Sequence, residues 1–245
     1  MLYAILADIH GNYAAFDAVL KDIPQRGDVQ ELWCLGDLVG YGPEPHECIE
    51  LLQRTNHICV AGNHDWGAIG KIDIAAFNPD AATAIRWTAK QLNEEDKTYL
   101  KNLPTTLVKN DFTIVHGSPR GPTWEYVISS SIATQNLVFF KTKYCLLGHT
   151  HVPVVFKTDE KSGVCISSPL AENVGLMLGK QQLLINPGAV GQPRDGDPRA
   201  SYALYDTESN SIKLYRVPYD IDATQRKMMK YGLPMRLVAR LSHGT

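Results

Sequence analysis

Five short stretches of the 245-residue chain carry side chains able to bind a metal ion. They are "ADIHG" with Asp8 and His10, "LGDLVG" with Asp37, "AGNHD" with Asn63 and His64, "VHGSP" with His116, and "LGHTH" with His149 and His151. Imidazole, carboxylate and amide oxygen without a thiolate suit Mn²⁺, Fe or Zn²⁺ rather than a Cys-rich structural zinc site. So many donors exceed one tetrahedral site and fit two ions sharing a bridging carboxylate. Such a pair, about 3.5–4 Å apart, clamps the attacking and leaving oxygens of a phosphoryl displacement. Taken singly, Asp-x-His is a weak signal and Gly-His-x-His a rarer one. Five of the eight histidines fall in these clusters, whereas His46, His57 and His243 do not.

Each cluster follows an apolar run that reads as a strand. Leu2 to Ala7 is short and continuously apolar, as in a strand covered on both faces. A helix follows in "YAAFDAVLKDI", with Ala15, Val19 and Ile23 on one face and Pro24 expected to close it. "ELWCLG" is a second strand, "PEPHECIELLQR" a helix with prolines at its start, and "HICVAG" a third strand. This β-α-β-α-β order predicts a largely parallel sheet, in which ligand sites collect beyond the carboxyl ends of the strands. In extended chain the i, i+2 pairs Asp8/His10 and His149/His151 would each project to one side. Glycines 11, 36, 62, 117 and 148 adjoin every cluster, where the backbone must turn or approach a ligand closely.

Further along, "NPDAATAIRWTAKQL" and "NEEDKTYLKNL" read as helices, the second capped by Asn93. "TTLVKN" and "DFTIVHG" read as a hairpin around Asn110-Asp111, and a helix near Ser131 to Lys141 leads to the strand "YCLLGHTH". Short strands follow to Val217: "VPVVFKT", "GLMLG", "QQLLIN", "SYALYD" and "SIKLYRV". "DATQRKMMKYG" is a final helix, with Asp222 as its expected N-cap and Gly232 as its stop. No composition shift, repeat or long polar linker divides the chain. Residues 1–245 therefore read as one α/β domain of two packed sheets with helices outside.

The composition, 44% hydrophobic and 20% charged with net charge −2, is that of a globular protein and gives no global reason to expect a polyanion or membrane-surface partner. The five cysteines are an odd number without framework spacing, and Cys34, Cys59 and Cys145 lie in apolar runs, which predicts reduced core residues. The opening "MLYAILADIHGN" lacks a basic segment and meets Asp8 too early for a signal peptide. No apolar stretch approaches the roughly 20 residues of a membrane span. A cytoplasmic location is expected.

The ordered set Asp-x-His, Gly-Asp, Gly-Asn-His-Asp, His-Gly and Gly-His-x-His resembles the calcineurin-like metallophosphoesterase superfamily. "GDLVGYGPEP", "HGSPR" and "NPGAVGQPRDGDPRASYALYD" are similar to its small prokaryotic phosphodiesterase-type members, along nearly the full length. The resemblance implies a four-layer α/β/β/α sandwich. It also implies that Asp8, His10 and His151 hold a first metal, that Asp37 bridges, and that Asn63, His116 and His149 complete a second. His64 would approach the substrate, and a bridging hydroxide would attack phosphorus. The expected ions are divalent transition metals, Mn foremost, with Fe, Zn or Ni as alternatives. Asp65 either orients His64 or caps its loop.

Arg194 in "GQPRDGDP" and Arg120 in "HGSPR" have the chemistry to receive a phosphate, and equally that of surface ion pairs. Trp124, Tyr126 and Tyr41 could stack a base, though packing roles are favoured. Ser118 lacks the Gly-x-Ser-x-Gly elbow of a hydrolase nucleophile. The basic stretch "RKMMKYGLPMRLVARL" reads as a docked helix with a solvated face; an anionic partner or an oligomer contact are the alternatives. The leading expectation is a nucleotide-type phosphodiesterase acting on a small phosphoester. A phosphomonoesterase, meaning a protein phosphatase or a dinucleoside polyphosphate hydrolase, is the alternative, and a protein-binding scaffold with an intact ligand set is disfavoured.

Overall fold

A computed structural model describes all 245 residues. Two mixed sheets of six strands lie face to face with helices on both outer sides, the α/β/β/α sandwich expected above. The first sheet begins with β1 (Leu2–Leu6), β2 (Val29–Cys34) and β3 (His57–Cys59), joined by helices α1 (Tyr13–Arg26) and α2 (Pro45–Gln53). These three strands are parallel, as the alternation of elements requires. α3 (Asn63–Ala68), α4 (Pro79–Gln91) and α5 (Glu94–Asn102) then lead to the hairpin β4 (Thr106–Lys109) and β5 (Phe112–Val115) of the second sheet. The hairpin turns at Asn110, which has φ 52°.

After α6 (Ser130–Asn136), a 3₁₀ turn at Leu137–Phe139 takes up the rest of the expected helix. The second sheet is completed by β6 (Tyr144–Leu146), β7 (Pro153–Thr158), β8 (Cys165–Pro169) and β10 (Leu183–Pro187), in the order β4-β5-β6-β10-β7-β8. β9 (Gly175–Met177), β11 (Ala200–Asp206) and β12 (Ser211–Val217) return to the first sheet, giving β3-β2-β1-β11-β12-β9. α7 (Ile221–Lys230) and α8 (Met235–Arg240) close the chain.

Between the sheets Trp33 of β2 meets Phe112 of β5 edge-on, with centroids 5.4 Å apart, and Tyr205 lies 4.9 Å from Phe112. Trp33 and Phe112 are fully buried, so truncating either to Ala would cost on the order of 3–5 kcal/mol. A larger apolar cluster, including Phe16, Val19, Ile49 and Leu52, joins α1 and α2 to the outer face of the first sheet. A smaller one, with Ala133 and Leu147, joins α6 to the second sheet. All five cysteines are buried and unpaired. No helix is long and apolar enough to cross a membrane.

Several element boundaries differ from the sequence-based expectation. Pro24 does not close α1, which runs on to Arg26. The last turn persists because the Gln25 side-chain amide donates to the Lys21 carbonyl at 3.2 Å and Arg26 pairs with Asp22 at 3.0 Å. Asp220, not Asp222, caps α7, accepting the Ala223 N–H at 2.8 Å, while Asp222 occupies the first turn. β8 is largely exposed and therefore lacks an apolar signature, and α3 and α8, six residues each, are too short to show a helical period.

Candidate metal centre

The clusters meet at the carboxyl ends of the strands, on loops knitted to one another through the backbone. His10 and Gly11 N–H donate to the Asp37 and Leu38 carbonyls, both at 2.9 Å, tying the β1 loop to the β2 loop. The His149 N–H donates to the Asp8 carboxylate at 3.0 Å, coupling the β6 loop of one sheet to the β1 loop of the other. Asp8, His10, Asp37, His149 and His151 do not lie in extended chain, contrary to the expectation for the two i, i+2 pairs Asp8/His10 and His149/His151. They have φ of 54°, 52°, 53°, 66° and 61°. The strands end at Leu6, Cys34 and Leu146, and beyond them the chain folds back so sharply that these residues adopt the left-handed region. Non-glycine residues are held there only when the surroundings over-determine them, at about 1–3 kcal/mol each.

Two groups of donors face inward. In the first, His10 Nε2 lies 3.1 Å from His151 Nε2 and 3.8 Å from Asp8 Oδ1, and His151 Nε2 lies 3.2 Å from Asp8 Oδ1. In the second, His116 Nε2 lies 3.0 Å from His149 Nδ1 and 3.2 Å from Asn63 Oδ1. Asp37 Oδ2 stands between them, 3.6 Å from His10 Nε2 and 3.2 Å from His116 Nε2. The other Asp37 oxygen accepts the His64 N–H at 2.8 Å. All seven residues are 3% exposed or less, so water cannot relieve their mutual repulsion.

The tautomers follow from the outer contacts. His10 Nδ1 faces the Val39 carbonyl at 3.2 Å, His116 Nδ1 that of Leu35 at 2.9 Å, His149 Nε2 that of Trp124 at 3.1 Å and His151 Nδ1 that of Gln192 at 2.6 Å. A carbonyl only accepts, so each of these nitrogens carries the N–H, and in the neutral ring the other nitrogen turns a lone pair inward. Lone pairs 3.0–3.2 Å apart repel unless a cation lies among them. Asp37 Oδ2 is buried with no hydrogen-bond partner, as an oxygen reserved for cations would be. This donor set fits two divalent ions sharing Asp37, with Asp8, His10 and His151 on one side and Asn63, His116 and His149 on the other.

In the chain alone, electrostatics show the same deficit of positive charge. Burial opposes ionisation of Asp37, but the imidazoles around it, His116 foremost, hold its carboxyl well below the usual range. Burial also works against a charged His116, yet the Asp37 carboxylate outweighs it and raises the imidazole to about 9. Burial pushes His10, His149 and His151 down.

His64 packs at the edge of the first group, its ring 4.8 Å from His10, 4.2 Å from Tyr41 and 5.2 Å from Phe77. One of its ring nitrogens comes within 4.8 Å of the donor atoms of His10 and Asp37. Burial pushes its pKa down to about 4, so its imidazole is neutral near pH 7 rather than poised near its ordinary value. Asp65 does not reach the His64 imidazole. Its carboxylate accepts the N–H groups of Asp37 and Gly62, both at 2.9 Å, and of Val39 at 3.1 Å, and so shapes the loop that carries Asp37. The loop-capping alternative for Asp65 is therefore the one seen.

Arg120 points at Glu125 and Gln135, in the ion-pair arrangement rather than toward the metal-ligand cluster. Arg194 faces the cluster, its guanidinium 5.8 Å from the Tyr41 ring centre, while its backbone N–H donates to the His151 carbonyl at 3.2 Å. Tyr41 packs against both His10 and His64, Tyr126 stacks on His149 at 3.7 Å, and Trp124 meets Phe77 edge-on at 4.7 Å. Sequence reasoning missed the carbonyls of Leu35, Val39, Trp124 and Gln192, which any residue type supplies and which leave no signal. It also missed Arg240, which shares the Gln192 side chain with Arg194.

The profile of the calcineurin-like phosphoesterase superfamily domain matches residues 1–210. A metallophosphoesterase of Sphaerobacter thermophilus is 45% identical, with TM-score 0.90 over 100% of this chain and 99% of that one. An uncharacterized protein of Methanocaldococcus jannaschii is 38% identical over 99% of this chain and 98% of its own length. A symmetrical bis(5'-nucleosyl)-tetraphosphatase of Nitrosococcus oceani is 33% identical over 55% of this chain, a match that spans 49% of that enzyme.

Proposed function

Because the chain belongs to the calcineurin-like phosphoesterase superfamily, we propose that it is a dinuclear-metal-dependent hydrolase of phosphoesters, preferring diesters of nucleotide type. The observation that carries this reading is Asp37 Oδ2, buried, unpartnered and flanked by two sets of inward-facing lone pairs. Asp8, His10, His151 and Asp37 would hold one ion, and Asn63, His116, His149 and Asp37 the other. Bound there, Mn²⁺ (or Fe, Zn or Ni) would supply Lewis acidity, making hydroxide available near neutral pH and polarising the phosphoryl oxygens.

The chain's own residues do the rest. The four backbone carbonyls fix the ligand tautomers, and Asp65 fixes the loop that presents Asp37. His64, neutral through burial, donates its N–H to a phosphoryl oxygen and so stabilises the negative charge that develops in the transition state. Preference for a diester is supported by a groove of about 390 Å³ beside His149, lined by Tyr126, Ile128, Val152 and Val154. Such a lining suits a second organic substituent on phosphorus. Hydrolysis of a dinucleoside polyphosphate is the second reading, supported by the Nitrosococcus oceani relative. The buried, unpaired cysteines support a reducing, cytoplasmic setting.

The test is turnover by Mn²⁺-loaded protein on bis(p-nitrophenyl) phosphate and on p-nitrophenyl phosphate. The reading predicts a higher kcat/KM for the diester and a loss of about 10²–10³ in kcat for His64→Ala. Cleavage of neither ester, or full activity in His64→Ala, would end it.

A further inference from the structure

Beside the metal-ligand cluster lies a second concentration of charge. Arg194 Nη2 and Nε donate to Gln192 Oε1 at 2.8 and 3.3 Å, and Arg240 Nη1 reaches the same oxygen at 3.4 Å. Two guanidinium groups thus converge on one neutral acceptor. Arg26, Arg54, Arg120, Arg199 and Arg216 all pair with carboxylates; Arg194 and Arg240, like Arg86, Arg226 and Arg236, do not, but of these only Arg194 and Arg240 share one acceptor. Bringing like charges together without a counter-charge is unfavourable unless an anion completes the arrangement. Gln192 is 1% exposed, and its Nε2, a further donor, has no partner. Its backbone carbonyl is the one that orients His151, so the same residue joins the arginines to the cluster.

The geometry extends outward from there. Arg194 lies over Tyr41, whose ring is 4.6 Å from His10 and 4.2 Å from His64. Arg240 opens in the other direction onto a cavity of about 330 Å³ lined by Asn78, Asp80, Arg236 and Leu237. Asp80 is the one acidic side chain lining that cavity, and it forms no ion pair with either arginine. Burial and the neighbouring Arg194 charge push the Arg240 pKa down, with Tyr41 and Asp80 opposing them.

We propose that Arg194, Arg240 and Gln192, with Arg236 at the rim, form an anion subsite that seats a second phosphate of the substrate. The substrate class then narrows to phosphoesters carrying at least one phosphate besides the scissile one, as nucleoside polyphosphates do. Guanidinium groups match phosphate oxygens in pairs, and a phosphate here exchanges repulsion between two cations for attraction to both. This deepens the phosphoesterase reading and rests on it for the identity of the substrate.

Calorimetric titration of inorganic pyrophosphate and inorganic phosphate into chelator-treated protein tests the subsite without turnover. Wild type should bind pyrophosphate at least about tenfold more tightly than phosphate, and Arg240→Gln should abolish that preference. Arg236→Glu, on the exposed rim where folding is not at stake, should weaken pyrophosphate by at least about threefold. Arg54→Gln removes a charge at the far end of the first sheet and should change neither affinity. Equal affinities in wild type, a preference that survives Arg240→Gln, or no effect of Arg236→Glu would each overturn the proposal. A wild type that prefers pyrophosphate yet cleaves no phosphoester ends the hydrolase reading and leaves the anion subsite standing. Turnover without the preference ends the subsite alone.

Discussion

Gly40→Ala should disable His64 without touching a proposed metal ligand. Gly40 has φ 92°, and a Cβ built there would lie 2.5 Å from His64 Nδ1 and 3.0 Å from its Cβ and Cγ. The imidazole would have to retreat by about 1 Å to restore ordinary contact. It cannot swing freely, because Tyr41, Phe77 and His10 pack around it. The left-handed backbone adds strain, for a combined cost of about 1–3 kcal/mol in stability. Displacement of a catalytic group by about 1 Å is worth roughly 10²-fold in rate. Activity on bis(p-nitrophenyl) phosphate should therefore fall by about that factor while metal content stays at the wild-type value. The double variant Gly40→Ala/His64→Ala should be no slower than His64→Ala to within about twofold, since the group being displaced is already gone. If the two losses multiplied, or Gly40→Ala lowered only the melting temperature, the assignment of His64 would be refuted.

Two further outcomes follow from the contacts around the site. Asp65→Ala strands three buried backbone N–H groups, those of Asp37, Val39 and Gly62, and should lower the unfolding free energy by about 3–5 kcal/mol in urea titrations. A change below about 1 kcal/mol would contradict the capping role. Glu125 is held down to about 2 by Arg120, with Ser118 and Asn136 also donating to it. Its folded value lies below its unfolded one, so its stabilising effect is complete above the ordinary glutamate range and is lost as pH falls toward 2. The melting-temperature gap between wild type and Glu125→Gln should accordingly shrink between pH 6 and pH 3; a constant gap would count against the pair.

Much of this architecture is legible in the chain because its signals are local. Continuous apolar runs mark β1 and β10, Asn93 caps α5 as its side chain predicts, and Asn110-Asp111 turns the hairpin. The seven proposed ligands meet at the strand ends. What the sequence hides is set by long-range packing. Left-handed backbone at Asp8, His10, Asp37, His149 and His151 depends on loops from two sheets bonding one another. Burial takes His64 away from its ordinary pKa, a property of its neighbours rather than of its motif. Arg120 and Arg194 are equivalent as residue types, and only their partners, Glu125 in one case and Gln192 in the other, separate a surface pair from a charge facing the cluster. Gly62 illustrates the limit: the sequence marks a tight approach, whereas the cause is Asp37 Oδ1, 2.0 Å from where a Cβ would stand.

If Asp37 holds two ions in one centre, metal stoichiometry reads it out most directly. Protein loaded anaerobically with Mn²⁺ and freed of loosely held metal should retain two ions per chain by elemental analysis. Asp37→Ala should retain well under two, because the oxygen proposed to be shared by both sites is gone while the fold still carries the six other proposed ligands. One ion or fewer in wild type, or two retained by Asp37→Ala, would contradict the account.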